Sequence, residues 1–265
     1  MTVRLAFAAA AALGVWLFSV PALAQEDRQD SLESRHKSYA SPQHFAIEVG
    51  FSPFSPNVDS DPSLHGCTPF ADIFGTSPSV MVSGEFDWQA LRIPHLGTLG
   101  PGAGIGTVSF SANAPYSGSG RTGGCVTGSG QASGEQTSLT LYPMTALAVF
   151  RADVFWKDVG VPLVPYAKAG LGTTIWQASN TLGTSNFGGS PGRGYTLGSQ
   201  LVLGLSFNLN VFDPYAARNF DEEMGVNGTY LFAEWSYANM NGLWLQNNAL
   251  RVGGAFWTFG IAWEF

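Results

Sequence analysis

Large apolar residues and small or polar residues alternate along most of the chain from His44 to Phe265. The final stretch shows it most clearly. Trp257, Phe259, Ile261, Trp263 and Phe265 take one set of positions, and Thr258, Gly260, Ala262 and Glu264 the other. A repeat of two is the mark of a strand with unlike faces. The same reading predicts strands at His44–Ser52, Val80–Gln89, Gly102–Ala112, Thr137–Tyr142, Leu163–Gln177, Tyr195–Val211, Thr229–Tyr237 and Val252–Phe265. In Tyr195–Val211, for example, Leu201, Leu203, Leu205 and Phe207 alternate with Gln200, Gly204, Ser206 and Asn208. The bulky faces are too large for the inside of a small barrel and are expected to point outward, Leu139 and Leu141 among them. The fourth strand is expected to continue through 146–153, and Arg92–Pro101 to form a turn.

Between these segments lie polar stretches rich in Gly and Ser: Pro53–Ser77, Ala114–Gly134, Ser179–Arg193 and Ala238–Leu250. Eight strands is an even number, so these four loops share one end and both ends of the strand region share the other. Composition sharpens the picture. Charged residues make up 12% of the chain, about half the share of an ordinary soluble domain, while aromatics reach 13%. The net charge of −7 argues against nucleic acid, which needs a basic face. Arg4, the apolar run Leu5–Val20 and the Ala22-Leu23-Ala24 site predict a signal peptide over 1–24. Residues 25–43 read as a flexible polar leader, and 44–265 as the strand domain. No second apolar run reaches the roughly 18 residues of a membrane helix. The expected fold class is therefore all-β: an antiparallel up-and-down transmembrane β-barrel of eight strands. A secreted soluble sandwich would expose Leu201, Leu203, Leu205 and Phe207 together, an aggregation hazard.

Charges in mid-strand are costly in lipid, so Glu48, Glu85, Asp87, Lys168 and Glu234 are assigned to the lumen. They either pair and plug the barrel or line a cation-preferring passage. Cys67 and Cys125 fall on the first two loops of one end, and an exported pair predicts a Cys67–Cys125 disulfide. His36, His44, His65 and His95 make no metal-ligand spacing. The Gly102, Gly104, Gly106 run is not followed by a helix pattern, as a nucleotide loop requires. No catalytic residue, metal or cofactor is assigned, and an enzyme is not expected.

The set Thr258, Gly260, Trp263 and Phe265 resembles the terminal assembly signal of bacterial outer-membrane β-barrels. That resemblance implies the cell outer membrane, both termini on its periplasmic side, lipid around the barrel and engagement of the barrel-assembly machinery by the last strand. More narrowly, Phe51–Asn57, Gly84–Gln89, Ile93–Pro101, Val161–Lys168 and Phe212–Asn219 resemble a family of outer-membrane barrels of myxobacterial-type genomes. The family implies location and fold and no activity. The functional expectation is a structural or surface-interaction barrel, or a narrow porin-like passage for small solutes or ions. The alternative is a membrane-embedded lipid-modifying enzyme.

Overall fold

The computed structural model describes residues 44–115, 121–122, 125–126, 132–157, 160–187, 189–246 and 249–265. The expected signal peptide and leader lie outside the described residues. Eight long strands dominate: β1 (Phe45–Phe54), β2 (Ser79–Trp88), β3 (Gly97–Pro115), β4 (Ala132–Arg151), β5 (Leu163–Asn180), β6 (Arg193–Asn208), β7 (Gly228–Met240) and β8 (Gly254–Glu264). Each pairs antiparallel with its neighbours in chain order. The ring closes where β1 meets β8, with Ala46 opposite Glu264 and Phe51 opposite Phe259. Closure leaves no sheet edge, which is what allows strands to meet lipid.

The alternation sorts side chains as the period of two requires. Phe45, Ile47, Val49 and Phe51 of β1 point out, as do Leu201, Leu203 and Leu205 of β6 and Trp257, Phe259 and Ile261 of β8. Trp257 is 53% exposed and Phe51 52%, so about half of each residue's surface lies open on the outer face. An apolar belt of this kind is stable only against another apolar medium.

Several details depart from the sequence reading. Leu139 and Leu141 point inward, at 8% and 1% exposure. They share a face with Leu147, Val149 and Arg151, so Tyr142 and Met144 take the outer face instead. Apolar residues occur on both faces of β4, and periodicity alone picked the wrong one. The segment Arg92–Pro101 is not a plain turn: Leu91–Ile93 pairs back onto β3, with Leu91 opposite Leu99. β6 stops at Asn208, whose side-chain oxygen accepts from the Asn210 amide and starts a short 3-10 turn over Leu209–Val211.

Among the described residues, three α-helices decorate the rims. In the first long loop, α1 (Pro69–Phe74) begins with Pro69, and the Asp59 carboxylate accepts from the Phe70 and Ala71 amides at 2.7 and 2.9 Å. Those amides have no partner inside the helix, so Asp59 both caps and anchors it. The short helix α2 (Val154–Lys157) and the helix α3 (Pro214–Met224) lie in the β4–β5 and β6–β7 connections, at the opposite end from α1. Asp213 caps α3 and Gly225 ends it in the left-handed conformation.

Candidate functional site in the barrel interior

The interior has two layers. Nearest the rim that holds His44 and Phe265 is an ionic layer. Arg151 on β4 donates to Glu48 on β1, and at 2.7 Å to Oδ2 of Asp87 on β2. Lys168 on β5 donates to Oε2 of Glu48 at 2.6 Å and stands 2.7 Å from Glu85 and 2.8 Å from Glu234. Tyr166 carries both cations on its ring, each 5.1 Å from the centroid, and its hydroxyl donates to Glu234 at 3.0 Å. Below this, Tyr230 and Gln89 both donate to Glu264, at 2.7 and 2.9 Å. Five of the eight strands thus hold the ionic network, and β8 sets Glu264 with Tyr230 and Gln89 beside it.

The other two strands make room for it. β3 faces Asp87 with Gly102 and Glu85 with Gly104. A Cβ at Gly102 would collide with the Asp87 carboxylate, and one at Gly104 with the Thr145 hydroxyl. On β6, Gly204 lies under the Tyr166 ring, which leaves no space for a Cβ. The close approach of ring and carboxylate to bare backbone is why these positions are glycine.

Toward the loop end lies an apolar layer. Phe54, Met81, Val108, Phe110, Leu139, Leu141, Met240 and Val252 form one buried cluster, with Trp176 and Phe256 packed on it. Helix α1 adds the lid. Phe70 is 6% exposed and meets the Phe110 ring edge-on at 5.0 Å. The β2–β3 ladder ends at Val82 opposite Thr107, while β3 runs on to Pro115. Phe70 and Phe74 of α1 pack against β3 in that stretch.

Between the layers is a cavity of about 80 Å³. Glu48, Glu85 and Glu234 form one wall, and Phe54, Met81, Leu141, Met240 and Phe256 line the rest together with hydroxyls such as Ser83 and Thr145.

The structure brings all five of the expected lumen charges together and adds Arg151, which the sequence reading left out. Arg151 fell in a stretch where Val149, Arg151 and Asp153 mixed apolar and charged residues on one face. Tyr166, Tyr230 and Glu264 were also missed, though each sits at an inward position of a clear alternation. Glu48, Glu85 and Asp87 place carboxylate oxygens within 4.8 Å of one another. Lys168 and Arg151 already stand among them as the cations. His44, His65 and His95 are exposed and outside the lumen. Cys67 lies in the loop before α1; the Cys125 backbone opens a two-residue strand, and its side chain lies outside the described residues. Thr258 and Gly260 face inward on β8, Thr258 sharing a 2.7 Å hydrogen bond with Ser52. Trp263 takes the opposite face, and the Phe265 amide donates to the Phe45 carbonyl at 2.8 Å.

No protein-family model matches the chain, and no curated protein matches it either. Solved structures of similar shape are small barrels. OprG, an outer-membrane protein of Pseudomonas aeruginosa, is 10% identical, with 84% of this chain and 96% of that one covered and a TM-score of 0.45. Ail, the attachment invasion locus protein of Yersinia pestis, solved with the heparin analogue sucrose octasulfate, is 11% identical over 84% and 97%, with a TM-score of 0.40. The N-terminal barrel domain of Pseudomonas aeruginosa OprF is 12% identical over 84% and 98%, at 0.36. The closed barrel itself is established by this chain's own strand ladders.

Proposed function

We propose that the chain is an integral outer-membrane protein whose barrel is shut, so that it meets its surroundings through its loops and its lipid face and not by conduction. The observation that carries this is the buried network of Arg151 and Lys168 with Glu48, Glu85, Asp87 and Glu234, side chains 0–16% exposed, spanning the lumen. Charges that are paired across the bore leave no free ring to hydrate an ion, and the apolar layer above would have to be wetted as well. The outward belt of Phe, Leu and Trp supports the membrane.

Four further readings belong to the same proposal. Residues 1–24 direct export and are removed. Thr258, Gly260, Trp263 and Phe265 engage the assembly machinery, with both ends of the barrel periplasmic. A Cys67–Cys125 disulfide ties the first two outer loops. The chain is kin to the myxobacterial-type barrels.

Reconstitution in planar bilayers is expected to give no single-channel steps; steps at any voltage overturn the shut barrel. Recovery of the protein in the soluble periplasm without detergent would remove the membrane reading. Mass measurement with and without reductant tests the disulfide, through the gain of a hydrogen pair on reduction.

A further inference from the structure

We propose that the outer face of β5 and β6, together with the tip of the β7–β8 loop, docks one phosphate-bearing lipid of the loop-side leaflet. This rests on the membrane reading above and adds to it a place, a headgroup chemistry and the residues that recognise it.

The site starts from a mismatch in strand length. β6 begins at Arg193, but β7 ends at Met240, opposite Gly198. From Gly198 toward the loops, the β7-side edge of β6 has no strand partner among the described residues. The loop takes that place. The Gly242 amide donates to the Leu197 carbonyl at 2.8 Å. The Gln246 side chain accepts from the Leu197 amide at 2.8 Å and donates to the Tyr195 carbonyl at 3.1 Å. A bare edge here would meet lipid with its backbone groups unpaired.

Held in this way, the tip displays apolar side chains that the chain itself does not cover. Trp244 is 98% exposed and Leu245 77%. Leu243 and Trp244 have φ of 46° and 58°, the left-handed region that costs a residue with a Cβ free energy. Such strain persists where the surroundings fix it, and it gathers at binding sites. Residues 238–250 include no Asp, Glu, Lys, Arg or His, so no charge opposes transfer of the tip to an apolar medium.

On the other side of Tyr195, residues Thr173 and Ile175 of β5 and Arg193, Gly194 and Tyr195 of β6 line an open groove of about 460 Å³. Tyr195 stands opposite Ile175, and Ile175 opposite Tyr142. All three are exposed on the outer face, so the groove continues the apolar belt. Arg193 lies two positions beyond Tyr195 on the same face, toward the loops, and is exposed. None of the ion pairs among the described residues uses it. Aromatic rings at the acyl boundary, with a guanidinium one step further out, match the profile of a lipid. Its chains lie against Ile175, Tyr195 and the Trp244–Leu245 tip, and its phosphate meets Arg193. A protein partner would first have to displace the lipid that covers Tyr142 and Ile175.

The test is native mass spectrometry of the protein extracted from membranes in detergent, with heat-modifiable gel mobility confirming a folded barrel in each sample. Phosphatidylglycerol is expected to bind saturably and about tenfold more tightly than diacylglycerol with the same chains, as a charged hydrogen bond implies. Arg193→Gln should remove that preference and leave diacylglycerol binding unchanged. Trp244→Ser combined with Leu245→Ser changes only exposed side chains and should weaken both lipids alike. Absence of the protein from the membrane fraction would remove the reading beneath the proposal. From a protein that does fractionate with membranes, three results overturn the site alone: equal binding of the two lipids, a preference that survives Arg193→Gln, or unaltered binding by the double variant. Dimers in place of lipid adducts, lost in the double variant, would give the face to a second copy and overturn it as well.

Discussion

The two interior layers close the same bore by different physics. Near the rim that holds His44 and Phe265, Arg151 and Lys168 hold carboxylates from three strands in a shell of nearly complete burial. Near the loops, Phe70, Phe110, Leu141 and Met240 fill the space with apolar volume. The ionic layer depends on each partner being present, since a charge left alone in a dry interior is costly. The apolar layer loses only what each side chain contributes, plus the void it leaves. The ionic layer should thus be brittle and the apolar layer graded.

Arg151→Leu is the harshest test of that contrast. It keeps volume but strips Glu48 and Asp87 of a shared donor, and it should cost about 3–5 kcal/mol. Urea unfolding followed by heat-modifiable gel mobility reads this out; a loss under 1 kcal/mol would show that the network is dispensable. Leu141→Ala, fully buried in the other layer, should cost about 2–4 kcal/mol by the same assay. If it matched or exceeded Arg151→Leu, the ranking of the two layers would be reversed. Gly102→Ala asks whether the ionic layer tolerates a single methyl. Its Cβ meets the Asp87 carboxylate, and a loss of about 1–3 kcal/mol is expected from overpacking. A neutral result would mean that Asp87 can move aside. The mildest change is Arg92→Ala. Its pair with Asp153 is also close, at 3.0 Å, but Arg92 is 46% exposed at the rim, and under about 0.5 kcal/mol should be lost. A large loss there would show that distance, and not burial, sets the value of an ion pair in this protein.

The architecture was legible in the sequence because a closed barrel repeats one simple rule, alternation between an outer and an inner face, along its strands. Glu48, Glu85, Asp87, Lys168 and Glu234 were legible for a related reason: lipid leaves a mid-strand charge only one direction to face. What stayed hidden was whatever broke the contrast between faces. In β4, Leu139 and Leu141 serve the interior, because the loop half of the lumen is apolar and no rule of alternation says so. Arg151 was lost for the same reason, sitting on that face beyond Leu147 and Val149. Tyr166 carries a hydroxyl on an apolar ring, so its role over Gly204 and between two cations follows from packing alone. The helix α1 and its Phe70 lay inside a stretch of Pro, Ser and Asp that reads as plain loop; only the Asp59 cap and the match to Phe110 turn it into a lid.

The sequence distance across the ionic layer sets an order of events. Glu48 waits 103 residues for Arg151 and 120 for Lys168. Until β4 and β5 arrive, the first hairpin carries Glu48, Glu85 and Asp87 with nothing to neutralise them, and so it has no reason to leave water for acyl chains. Entry into the bilayer is then expected to be concerted, with the early strands held at the surface until the later ones bring their cations.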